Sequence, residues 1–186
     1  MLEVHTLMGE QFTFFWKNKS PFSQWYQGAP FQLHGITFVD AEHYMMWYKA
    51  SVFGDTQTAQ EVLNSKRPSE AKDLGRQVRG FSEPIWRVVA KIGVFRGNLA
   101  KFTQNPAILG TLLETAGTTL VEASPVDKIW GIGLAEDDPR AKSRDTWLGE
   151  NWLGEVLTDV RDAILLAQEP LLEKARQVGM DRDLVE

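Results

Sequence analysis

Helix-start signals divide this chain more insistently than any other feature. Asp40, Asp55, Ser82 and Asn151 each stand just before a run with helical spacing, and Pro68 and Pro106 each open one. Side-chain oxygens of Asp, Ser and Asn can accept the free N–H groups of a first turn, and a proline there gives up an N–H that has no helical partner anyway. The predicted helices are 41 to about 53, 55 to about 66, 68 to about 78, 82 to about 102, 106 to about 115 and 151 to about 168, with Gly80 closing the third. In the last of these Trp152, Val156, Val160 and Ile164 recur every fourth residue, the stripe of a buried helix face. Strand-like stretches are few: 11–16, a hairpin of 31–33 and 36–38 around His34-Gly35, and 119–123. Because strands do not alternate with helices, a doubly wound sheet is not expected. The expected fold is mainly α: a compact multihelical single domain over 1–168 with a small β element near the N-terminus. A polar tail or short helix follows over 169–186.

Composition excludes several chemistries. There are no cysteines, hence no disulfide, thiolate nucleophile or cysteine zinc site. The three histidines, His5, His34 and His43, are not spaced as metal ligands, so no metal and no cofactor is expected. The net charge of −5 lacks the basic footprint of a general nucleic-acid binder. No apolar run is long enough to span a bilayer, and the opening residues lack the basic-then-apolar pattern of a signal peptide. A cytoplasmic protein with no membrane partner is the expectation; nothing assigns an oligomeric state.

Three places carry candidate chemistry. In the helix beginning at Ala41, Glu42 and Lys49 are two turns apart and share a face of an otherwise apolar, aromatic helix. The helix dipole favours an ionised Glu42, and a desolvated Lys49 would have a lowered pKa and nucleophilic character. A structural ion pair or two solvated side chains would show the same spacing. His43 has no triad partner in the sequence and reads as a packed, hydrogen-bonded residue. The second place runs from Asp127 through Trp130, Gly131 and Gly133, where the backbone can approach something flat or anionic, or simply turn tightly beneath a tryptophan. The third is Trp86 with Arg87 and Lys91, and farther along Lys101, Gln104 and Asn105: either basic residues for a phosphate or a solvated face. Most of the seven tryptophans read as core, some as stacking platforms.

Together these form an ordered pattern: Ala41-Glu42-His43-Tyr44 through Lys49-Ala50; Ala71 through Gly75-Arg76; Trp86; Lys101-Phe102-Thr103-Gln104-Asn105; Leu120-Val121-Glu122-Ala123-Ser124 with Asp127; Trp130-Gly131-Ile132-Gly133-Leu134; and Asn151 with Leu153-Gly154 and Arg161. The pattern resembles the YbiA-like, or NADAR, family from about Phe12 to Leu166. The resemblance implies a mainly helical N-glycosidase that needs no metal. It would act on ribosylaminouracil phosphates of riboflavin biosynthesis or on ADP-ribose attached to guanine, including guanine in nucleic acid. It implies catalytic roles for Glu42, Lys49 and Asp127, the lysine through a Schiff base at the anomeric carbon. Substrate contacts fall to Trp86, Trp130, Gly131, Gly133 and Asn151. The competing expectation is a module that binds ADP-ribose or a nucleotide without turnover. Residues 16–25 depart from the family's short Ser-Asn-Phe turn, and Glu136-Asp137-Asp138 is a local acidic insert.

Overall fold

The computed structural model describes residues 9–183, with side chains described as far as 170. His5 and the opening residues lie outside this range. The described elements are β1 (Phe12–Phe15), β2 (Phe31–Leu33), β3 (Ile36–Phe38), α1 (Ala41–Val52), α2 (Thr56–Asn64), α3 (Pro68–Arg76), α4 (Glu83–Gln104), α5 (Pro106–Leu113), β4 (Thr119–Glu122) and α6 (Trp152–Asp183). The fold is mainly helical, as expected. Helix starts fall where the capping residues place them: Asp40 accepts the N–H of His43, and Asp55 that of Thr58.

The β element is split. β2 and β3 form the antiparallel hairpin, and His34 and Gly35 both take positive φ, as a two-residue turn of this hand requires. β1 pairs in parallel with β4, placing Phe15 beside Glu122. This pairing of distant segments brings the middle of the chain to the start of α1.

α1 is buried along most of its length, Glu42 and His43 included. α4 crosses it closely, and the fit depends on missing side chains: a Cβ on Gly97 would collide with the Tyr44 ring, and one on Gly93 with Tyr48. α6 packs its Leu153, Val156, Leu157, Val160 and Ile164 stripe into the same core. The last helix does not stop near Gln168; it continues through Pro170 to Asp183. A proline removes one N–H from the ladder, yet the remaining bonds carry the helix past it here. Among the described residues no helix is long and apolar enough to cross a membrane.

Candidate active site

A cavity of about 350 Å³ opens where α1, α3, α4, β4 and the loop after β4 meet. Glu42, Lys49, Asp127, Trp86 and Trp130 all line it, although they come from three separate parts of the chain. Gly131, Gly133 and Asn151 do not. A Cβ on Gly131 would press into the carbonyl of Glu122 and the side chain of Ser124, so that glycine serves a tight turn under the cavity floor. Gly133 takes a positive φ of 69° in the same turn. Asn151 is fully buried: its Oδ1 accepts the Glu122 N–H at 3.0 Å and its Nδ2 donates to the Leu120 carbonyl at 3.0 Å. These three residues hold the wall and do not face the cavity.

Glu42 is 4% exposed, and no ion pair holds it among the described residues. Burial pushes its carboxyl up to about 7, against the pull of Lys72 and the Trp25 indole. The helix dipole expected to keep this group ionised is therefore outweighed by desolvation. Lys49 donates to the Gly75 carbonyl at 2.8 Å, and its ammonium lies 4.1 Å from the Phe81 ring centre and 5.8 Å from that of Trp86. Burial lowers its pKa, while Glu42 opposes the shift. Asp127 uses Oδ1 to accept the N–H groups of Ile129 and Trp130 at 2.9 and 2.8 Å, fixing the turn that presents Trp130. Trp130 is braced edge-on by Trp152.

His43 is packed, as the sequence indicates. Its Nδ1 lies 2.7 Å from Asp40 Oδ1, and Nε2 lies 3.2 Å from the Ser65 carbonyl. Burial alone would lower its pKa, but the Asp40 carboxylate raises it. The basic residues offered as phosphate ligands are committed elsewhere. Arg87 binds Glu150, and Lys91 binds Glu155, tying α4 to the region where α6 starts. Lys101 is fully buried and donates to the carbonyls of Pro21 and Ser23 at 2.7 and 3.0 Å. Gln104 pairs with the backbone of Gln32, and Asn105 donates to Pro30. This end of α4 is a clamp for the N-terminal loop, which it aims at the cavity: Gln24 accepts the Glu42 N–H at 3.0 Å, placing Trp25 alongside.

Three charged cavity side chains have no role assigned by the sequence. Glu122, Lys72 and Arg76 line the cavity and also a second, outer chamber of about 600 Å³. Trp16, Lys17 and Asn18 of the 16–25 segment form part of that outer wall. The signals were present: Glu122 is a lone charge in an apolar strand, and Lys72 and Arg76 are one turn apart on α3. Among the described residues no group of three or more His, Asp or Glu is arranged to hold a metal.

Comparison with known proteins gives a consistent answer. The family model described as "NADAR domain" matches residues 14–165. The chain is 42% identical over 145 residues to "N-glycosidase R617" of Acanthamoeba polyphaga mimivirus, covering 76% of this chain and 85% of that protein. It is 33% identical over 137 residues to "Riboflavin biosynthesis protein PYRR, chloroplastic" of Zea mays, covering 70% of this chain and 20% of that longer protein. The NMR structure of the E. coli protein YbiA superposes with a TM-score of 0.70 at 24% identity, covering 89% of this chain and 92% of that one, a likeness of fold.

Proposed function

The chain belongs to the NADAR domain family, and on that premise we propose that it is an N-glycosidase that hydrolyses the bond between a ribosyl phosphate and a base. The observation that carries this reading is the inner cavity itself. Buried Glu42 and half-buried Asp127 and Lys49 share it with the indoles of Trp25, Trp86 and Trp130, and Glu42 is pushed up to about 7 with no ion pair to hold it among the described residues. A site built only to bind has no use for an unpaired buried carboxyl, which costs folding free energy.

The chemistry follows from the lining. The base stacks on Trp86 or Trp130. Breaking the C–N bond builds oxocarbenium character on the ribose, which nearby carboxylates stabilise. The anomeric carbon is then taken by the Lys49 amine, whose pKa burial has lowered, or by water drawn on by Glu42. Lys17, Lys72 and Arg76 of the outer chamber supply the charge for a phosphate. Ribosylaminouracil phosphates and ADP-ribosylated guanine both present a ribose joined to a base and a phosphate.

The test is a panel of ribosylaminouracil phosphates, ADP-ribosylated guanine nucleotides and ADP-ribosylated DNA, read by mass spectrometry. Release of free base or free diaminouracil from one class is the expected result. Tight binding without release from any of them would assign the cavity to recognition alone.

A further inference from the structure

Glu122 has no part in the mechanism above, yet it stands between the two chambers. With Ser23, Trp25, Lys72, Arg76 and Asp127 it lines both. If the base stacks on the indoles of the inner chamber and the phosphate meets the cations of the outer one, the scissile bond lies at this junction. The Glu122 backbone is fixed on every side. Its N–H is held by Asn151, and its carbonyl accepts the N–H groups of Ser124 and Ile132 at 2.9 and 3.0 Å. The side chain, in contrast, leaves Oε2 buried without a partner. An unsatisfied buried oxygen forfeits its hydration, and of the four such atoms among the described residues, on Asp40, Tyr44, Asn98 and Glu122, only that of Glu122 belongs to a residue lining the chambers.

We propose that the Glu122 carboxyl is the proton donor to the departing base, a catalytic residue in addition to Glu42 and Asp127. The inference rests on the N-glycosidase reading. The C1′–N bond breaks with its electron pair going to nitrogen, and the Glu122 proton moves to that nitrogen. C1′ gains its new bond from water or the Lys49 amine, and the proton that group gives up returns through Glu42 to Glu122. Charges facing Glu122 come from each neighbouring element: Asp127 from the loop after β4, Glu42 and Lys49 from α1, Lys72 and Arg76 from α3, and Lys17 from the N-terminal loop. Burial, then the negative charge of Asp127, push Glu122 up to about 8, with Lys72 opposing and Glu42 reinforcing. Glu42 lies lower, at about 7. Both carboxyls are raised, and Glu122, facing Asp127 as well as Glu42, is the one held protonated.

The experiment measures kcat/KM against pH for the wild type, Glu122→Gln and Glu122→Asp on two probes. One is a 6-ribosylaminouracil 5′-phosphate, whose amine needs a proton to leave. The other is an N-ribosylpyridinium 5′-phosphate, whose pyridine leaves neutral without one. Glu122→Gln is expected to lose about a hundredfold or more on the first and no more than about a few-fold on the second. It should also lose the wild type's alkaline fall in rate. Glu122→Asp should keep more aminouracil activity than Glu122→Gln at equal folded fraction, read by circular dichroism. Equal losses on both probes by folded protein, an alkaline fall that survives in Glu122→Gln, or a wild type that turns over only the pyridinium would overturn the inference. Failure of the wild type on both probes would overturn the N-glycosidase reading, and this inference with it.

Discussion

Glu42 in the first turn of α1 and Asp55 just past its end are each 4% exposed, but Glu42 lies deep in the protein and Asp55 under a thin cover, and their carboxyls move in opposite directions. Arg79 donates to Asp55 from both its guanidinium and its backbone, Thr58 donates from N–H and hydroxyl, and the carboxyl is held far below its usual range. Glu42 has Lys72 near it and the Trp25 indole beside it, and burial wins. Desolvation by the surrounding protein decides at Glu42, and the donors of Arg79 and Thr58 decide at Asp55. Buried Asp55, Lys101, Asn151 and Arg161 of the scaffold each have several partners, whereas Asp40, Tyr44 and Asn98 each leave one atom unpaired. On the cavity wall Glu122 leaves Oε2 unpaired and Glu42 has no ion pair among the described residues.

The sharpest way to break this contrast is Glu42→Gln. Loss of about 3 kcal/mol or more of transition-state stabilisation, roughly a hundredfold or more in kcat, is expected. The same change should raise stability at neutral pH. A carboxyl whose folded pKa is raised favours folding only while protonated, so the wild type loses stability as pH climbs from the ordinary carboxylate value through about 7. Glutamine carries no such cost. Near-wild-type kcat would remove Glu42 from the mechanism.

Lys49→Arg probes the cation of the same wall. Arginine keeps the charge but stays protonated and is a poor nucleophile. Substrate with borohydride is expected to add a ribose-derived mass to the wild-type peptide containing Lys49; the variant should lose both adduct and activity. Retained activity, or no adduct at any pH, would assign the attack to water. A smaller effect is expected from Trp86→Ala or Trp130→Ala: about 1–3 kcal/mol weaker substrate binding if either ring stacks on the base. A change confined to melting temperature in both would make these rings core. The smallest effect on activity belongs to the saturated partner. Asp55→Asn should lower the melting temperature by several degrees while kcat per folded molecule holds. Because the folded pKa of Asp55 is depressed, its contribution is present above the ordinary aspartate value and lost as pH falls below it. Acidification should therefore narrow the gap between variant and wild type.

The same contrast separates what could be read from the sequence from what could not. Helix starts at Asp40, Asp55, Pro68 and Pro106 rest on local capping chemistry, and the chain carries them in order. The shared face of Glu42 and Lys49 follows from helical spacing alone. Glu122 and Lys72 were not legible as cavity residues, because only the β1–β4 pairing and the packing of α3 on α1 bring them there. Asn151 lies behind the wall for the converse reason. The family resemblance implies a substrate contact for it, but its buried amide is consumed by β4. Desolvation, likewise, is a property of packing, so the dipole argument for an ionised Glu42 had no means of weighing it.

Glu42 and Glu122 in the cavity hold protons far above the ordinary carboxylate range, whereas Asp55 outside it stays ionised. Side-chain carboxyl carbon resonances of the free protein, followed by NMR through a pH titration and assigned with Glu42→Gln, Glu122→Gln and Asp55→Asn, test it most directly. Glu42 and Glu122 are expected to titrate near 7 and 8, and Asp55 to stay ionised well into acid. Midpoints for Glu42 and Glu122 in the ordinary range of about 4 to 5 would contradict the claim.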